Sequence, residues 1–309
     1  MSDVTPMLLM TSPHARWARL GDAVHVDTPD VACTFEEAGA AMTVWLDRLR
    51  HGTMIAEGPS RDTWLDTLVE HGAVCALPAV HADADAYLRD MSGICDRWMA
   101  GIFASPFWPR FQSGASSEVQ VLAFLAQLYH RTAGADVHNR VAVERCSAPQ
   151  MRPWLLRRYR EGRGHATMLA AGLLRCGPSA RTFLDSGAFE ATHALVDFMI
   201  EAAGDTLNYL GCHALFDAPS AQLSDAEIVA QFNTLARRYP FAAPGFEAVC
   251  AHARQGDAPG RPDAALERWV RDVGMPGPDE RLRILRGAQG VACAFREVFD
   301  VLHRLDEDD

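Results

Sequence analysis

Apolar residues recur three and four positions apart through most of the chain beyond residue 84, whereas apolar and polar positions alternate only in short runs before residue 78. The first texture predicts amphipathic helices and the second predicts strands. Val121, Phe124, Leu125, Leu128 and Tyr129 mark a helix read as closing at Tyr129-His130. Leu155, Tyr159, Gly162, Ala166, Leu169 and Leu173 mark a second, long one. Beside that stripe run Trp154, Arg158, Glu161, His165 and Met168, which sets the Glu161 carboxylate and the His165 imidazole one turn apart on one face. A helix over 84–102 carries Tyr87, Met91, Cys95, Trp98 and Met99 at core spacing. One or two helices fall in 187–216, and a Ser224/Glu227 capping box opens another that ends near Tyr239. Segments 244–253, 263–273 and 279–305 complete the helical part.

Earlier in the chain, residues 1–12 read as a frayed leader. Strand-like runs follow at 14–20, 23–28 and 32–35, then a helix over 36–49, a helix capped by Ser60 and a strand over 72–77, with a linker at 78–83. These divisions predict a small α+β domain over 1–80 and a mainly α domain over 84–305.

The 309 residues are 49% hydrophobic and 22% charged, which is ordinary globular usage with a sizeable core. A net charge of −11 without a basic, aromatic-laced patch argues against nucleic acid as a partner. No run of eighteen apolar residues exists, and the acidic opening with a short apolar Pro6–Met10 does not fit a signal peptide, so a cytoplasmic protein without membrane contact is expected. The eight cysteines lack any CxxC spacing and predict reduced, mostly buried thiols. Nucleotide, zincin and serine-hydrolase motifs are absent.

Pro-Phe-x-x-Arg-x-x-Ser-Gly at 106–114, Leu-x-x-x-Tyr-His at 125–130 and Glu-x-x-Gly-His at 161–165 resemble the heme-oxygenase-like superfamily. The likeness is to its non-heme iron oxidases, pyrroloquinoline-quinone-synthase-like and thiaminase-like members, over about 84–303. It implies a heme-oxygenase-like helical bundle. The earlier Trp45-Leu-Asp-x-Leu-x-x-Gly and Leu68-Val-Glu-x-Gly-Ala-Val runs resemble a winged-helix-like module similar to leader-peptide-binding domains; a plain structural cap is the other reading.

The resemblance implies an O2-dependent oxidative tailoring enzyme of natural-product biosynthesis. It would use Fe(II), one iron or two, on an amino-acid-derived or peptide substrate, tethered through a precursor leader peptide if the N-terminal module binds one; homodimers are common among such relatives. Imidazole plus carboxylate with open positions suits iron that must bind oxygen. Carried over, the metal residues are His165, Glu161, Asp217, His252 and Asp257. The pattern is incomplete: the positions three and seven before His165 are Gly162 and Arg158, and those four and seven after His252 are Gly256 and Pro259. The metal-free alternative is a cofactorless oxidase or a non-catalytic partner that presents a peptide. There Tyr129 and His130 would line the cavity and Arg158 would hold an anionic substrate. Arg158 in a solvated cationic face is the plainer reading. His193, Asp197 and Glu201, on one helical face, are a further candidate set or a solvated stripe.

Overall fold

The computed structural model describes residues 6–21, 23–29, 31–36, 39–55, 63–255 and 264–305. Strand β1 (Met7–Thr11) sits in the centre of a three-stranded antiparallel sheet between β5 (Thr53–Ile55) and β6 (Val74–Pro78), with Leu9 opposite Thr53 and Ala76. A separate antiparallel meander is formed by β2 (Arg16–Leu20), β3 (Ala23–Asp27) and β4 (Ala32–Phe35). Helices α1 (Gly39–Arg50) and α2 (Thr63–Glu70) complete this region. The expected Ser60 cap lies outside the described residues.

The frayed leader is the main departure from expectation: Met7–Thr11 is the central strand. Leu8 and Met10 belong to the large core of the helical body, while Leu9 packs with Val24, Val26, Leu46, Leu49 and Leu68 in a second core. A strand covered on both faces loses the polar/apolar alternation that betrays most strands and reads as a bare apolar run.

Among the described residues twelve α-helices follow: α3 (Ala84–Phe103), α4 (Phe107–Ser113), α5 (Glu118–Arg145), α6 (Arg152–Gly162), α7 (His165–Leu174), α8 (Pro178–Asp185), α9 (Glu190–Ala202), α10 (Thr206–Phe216), α11 (Asp225–Arg238), α12 (Ala243–Gln255), α13 (Ala265–Asp272) and α14 (Pro278–Arg304). Asp83 caps α3 by accepting from Ala86 N at 2.8 Å, and the Ser224/Glu227 capping box opens α11 as predicted. Two expectations need correction. Helix α5 does not stop at His130 but runs on to Arg145, because Thr132-Ala-Gly-Ala-Asp contains no proline and Gly134 alone does not end a helix held by its neighbours. Conversely, the long helix through Glu161 and His165 is two helices. Arg163 is extended and Gly164 takes φ +89°, so the axis restarts at His165. Among the described residues no helix is long and apolar enough to cross a membrane.

The aromatic entry Phe107-Trp108-x-x-Phe111 packs against Phe124, Phe246 and Phe299 to knit α4, α5, α12 and α14. Tyr239 ties this cluster down, donating to Phe111 O at 2.9 Å and accepting from Ser116 N at 3.1 Å. Helix α14 also grips the N-terminal region. Gln289 Nε2 donates to Thr11 O and Oγ1 at 3.1 and 3.0 Å, Arg296 to Pro13 O, and Arg286 to His51 O. Arg281, 4% exposed, donates to Ala79 O and Pro276 O at 2.8 Å each and lies over the Tyr87 ring.

Residues 1–80 expressed alone would expose the face formed by Leu8, Met10, Cys75, Leu77 and Ala79, which packs into the helical core. That fragment is expected to aggregate or give a collapsed, poorly dispersed amide NMR spectrum. A well-dispersed spectrum from the isolated fragment would show that the sheet stands without the helices.

Candidate functional site

The interior of the bundle holds a cavity of about 330 Å³. Helix α5 contributes Arg131, His138 and Asn139, which its seven- and eight-residue spacing sets on one face; α6 contributes Arg158 and Glu161, α7 His165, α10 His213, and α12 His252. Leu195 and Met199 of α9 supply an apolar wall. The break at Gly162–Gly164 undoes the predicted stacking of Glu161 under His165, yet both side chains still reach this cavity. His165 instead meets His252, edge to face, with ring centroids 4.8 Å apart.

The electrostatics favour neutral imidazoles. Burial, with the Arg131 and His165 charges added, lowers the His252 pKa to about 4; burial and Arg131 lower that of His138 to about 4 as well. His213 is pushed well below its usual range by burial, then by Arg158 and His138. Tyr209 gives its single hydroxyl proton to Asn139 Oδ1 at 2.8 Å, so the 2.6 Å contact to His138 is donated by Nδ1–H. That fixes the tautomer and leaves Nε2 without a proton. Among the described residues neither ring nitrogen of His213 has a hydrogen-bond partner; its ring stands edge-on to Trp154 and Tyr209, while Arg158 lies over Trp154 at 5.5 Å.

The remaining predicted residues fall elsewhere. Asp217 caps the end of α10, accepts from Ala265 N at 2.9 Å and does not line this cavity; burial raises its pKa. Tyr129 and His130 lie within α5 and line neither cavity. His130 is bonded to the Leu184 backbone, and burial first, then His193, lowers its pKa. His193, Asp197 and Glu201 are exposed, since α9 turns its opposite face, with Leu195 and Met199, to the cavity. Asp257 lies outside the described residues. All eight cysteines are free and none lines either cavity.

An Fe(II) centre fits these residues poorly. Among the described residues no three His, Cys, Asp or Glu side chains come together closely enough to hold a metal ion. Glu161 is drawn toward Arg157, 3.8 Å away, and two guanidinium groups, Arg131 and Arg158, share the cavity with the imidazoles. Sequence reasoning missed Arg131, His138 and His213. The first two became invisible once α5 was read as ending at His130, while His213 stands one turn before Asp217 and was passed over for it.

A second cavity of about 290 Å³ adjoins the first and shares Arg131, Leu195, His252 and Ala253 with it. Its other walls are mostly apolar, from Phe103, Phe124, Leu128, Phe295 and Phe299.

No protein-family model matches the chain, and no curated protein matches it in sequence. Among solved structures it is similar to a domain of unknown function with a heme oxygenase-like fold from Shewanella denitrificans OS217. The TM-score is 0.53 and the identity 12%, over 74% of this chain and 95% of that one. The bundle therefore has a heme-oxygenase-like fold, behind a small sheet-containing region at the N-terminus.

Proposed function

We propose that this heme-oxygenase-like chain is an O2-dependent oxidase of an anionic small molecule, amino-acid-derived or part of a peptide, which works with protein side chains alone. The observation that carries the reading is the meeting of a neutral imidazole, His252, with cationic guanidinium at one cavity. The neutral His252 imidazole is free to accept a proton, and an anion bound beside Arg131 would offset the charge that lowers its pKa and so strengthen it as a base. His252 takes a proton from a substrate carbon, and Arg158, lining the same cavity, stabilises the negative charge that develops. Two electrons and a second proton then leave the substrate for O2, which ends as hydrogen peroxide while the substrate carries a new double bond. His165, edge-on to His252, is placed to pass protons onward.

The iron-dependent oxidase is the second reading, favoured by Glu161, His165 and His252 lining one cavity. Were iron held there, it would supply O2 activation. Peptide substrates fit the exposed meander, where β2 and β4 each pair only with β3 among the described residues and so leave edges for an added strand.

Oxygen uptake with a panel of amino-acid-derived acids, with and without excess chelator, separates these readings. Uptake that is indifferent to chelator and falls at least about 100-fold in His252→Gln is expected, as for loss of a general base. Uptake abolished by chelator and restored by Fe(II) would transfer the assignment to the iron reading. No uptake with any acid would sink the oxidase in both forms.

A further inference from the structure

Arg131 is a partly buried cation that lines both cavities. Its guanidinium lies 5.1 Å from the Phe295 ring centroid and 6.0 Å from that of Phe216. Among the described residues it makes no hydrogen bond and no ion pair. Burial lowers its pKa to about 10, which still leaves it charged at neutral pH. A charge partly withdrawn from water, with ring faces beside it and no carboxylate within reach among the described residues, gains from an anion that completes it.

Four polar atoms on the same second cavity are more deeply withdrawn from water. Among the described residues, Trp108 Nε1, Gln127 Nε2, Thr192 Oγ1 and His252 Nδ1 are buried without a hydrogen-bond partner, and all four residues line that cavity with Arg131. The Gln127 amide is not free to turn over, because its Oε1 accepts from Phe189 N at 2.8 Å; the NH2 end is therefore the one left open. Gln127 and Arg131 are one turn apart on α5. Unpartnered donors beside an unpartnered cation call for an acceptor with negative charge. Beyond them the wall is hydrocarbon and aromatic rings, which calls for an apolar body.

We propose that the second cavity binds a monocarboxylic acid with an apolar body, its carboxylate on Arg131, Gln127 and Thr192 and its body among Phe103, Phe124 and Phe299. One guanidinium balances one negative charge and its fork matches two carboxylate oxygens, so a monocarboxylate is favoured over a phosphate dianion. The inference rests on the reading of this interior as the substrate site and names the substrate class. Its test nevertheless needs no turnover.

The test is calorimetric titration of the full chain with 3-phenylpropionate, 5-phenylpentanoate and decanoate, each against the alcohol of the same skeleton. At least one acid should bind with a Kd of about 100 µM or tighter, and its alcohol at least about tenfold more weakly. Arg131→Met should remove that preference and leave the alcohol's affinity unchanged, with Arg131→Lys recovering part of it. Leu128→Trp, which fills the apolar end, should weaken acid and alcohol alike. Should Arg131→Met fail to fold, Gln127→Leu and Thr192→Val carry the same comparison, each expected to weaken the acid selectively. Absence of acid binding at 1 mM, on the order of the weakest affinity a built site would give, overturns the proposal. So does an acid that binds no better than its alcohol, or unchanged acid affinity in the Arg131 or donor variants. Acid binding without oxygen uptake would leave this site standing and refute the oxidase, while uptake without acid preference would do the reverse.

Discussion

Gly287→Ala is expected to destabilise the chain by roughly 3 kcal/mol or more, at or beyond the upper end for overpacking, and Gly287→Val to prevent folding. A methyl group built on Gly287 stands 2.7 Å from Asn208 C and closer still to its oxygen. The mirror contact holds at Gly211, whose methyl would stand 2.8 Å from Ile284 C. Helices α10 and α14 therefore cross backbone to backbone, with Cys212 Sγ donating to Gly287 O at 3.4 Å. Because the obstacle is main chain, no rotamer change relieves it and the two helices must separate. They are also the helices that carry His213 and Phe216 to one cavity and Phe295 and Phe299 to the other, so partial accommodation would open both. Gly93→Ala provides the contrast. It lies inside α3 with only the far end of Arg97 near its added methyl, at 3.7 Å. That substitution should be neutral or should stabilise by up to about 1 kcal/mol through helix propensity. Urea denaturation measures both, and a Gly287→Ala chain within about 1 kcal/mol of wild type would mean that the two helices separate at little cost.

What the sequence disclosed follows from how each element is solvated. Helices with one buried stripe were legible: Tyr87, Met91, Cys95, Trp98 and Met99 of α3 are all buried, and the three strands of the exposed meander fall where alternation puts them. Elements covered on several sides were not. Strand β1 has no polar face, and the second half of α5 carries Arg131 and His138 on its inner face, so its periodicity no longer separates core from surface. Local breaks were also hidden. Gly162 and Gly164 are compatible with a helix that continues as well as one that stops, and only packing settles the positive φ at Gly164. At the site, Glu161, Arg158, His165 and His252 do line one cavity, whereas Asp217 was placed by motif position alone and faces the start of α13. The residues with the most unusual environments, Arg131, His138 and His213, owe them to long-range burial, which no short motif encodes.

The same buried histidines set the second large expected effect, a loss of stability in acid. His14, His81, His130, His138, His213 and His252 all have lowered folded-state pKa values, burial being the first cause in each. The unfolded chain, with imidazoles near 6.5, binds protons that the folded chain refuses, so stability is present above about pH 6.5 and lost as pH falls through the window below it. For His138 and His252 that window reaches down to about 4. Each fully protonating imidazole contributes a slope of about 1.4 kcal/mol per pH unit. These two alone therefore remove on the order of 2–3 kcal/mol between pH 6 and 5. Asp217 acts in the opposite direction: its raised pKa lets the folded state take up a proton before the unfolded one does, which offsets part of the loss at the acid end. Urea midpoints should therefore fall steeply from pH 7 to 5, and His138→Gln should remove close to one proton from the slope. A midpoint unchanged between pH 7 and 5 would mean that these imidazoles are already charged or solvated in the native state. Arg131 is among the charges that lower both His138 and His252. A carboxylate bound to Arg131 would cancel much of that field, raise both imidazoles toward their ordinary value and shift the acid transition to lower pH. The ligand that completes the Arg131 cation would thus also change which imidazoles are free to accept a proton.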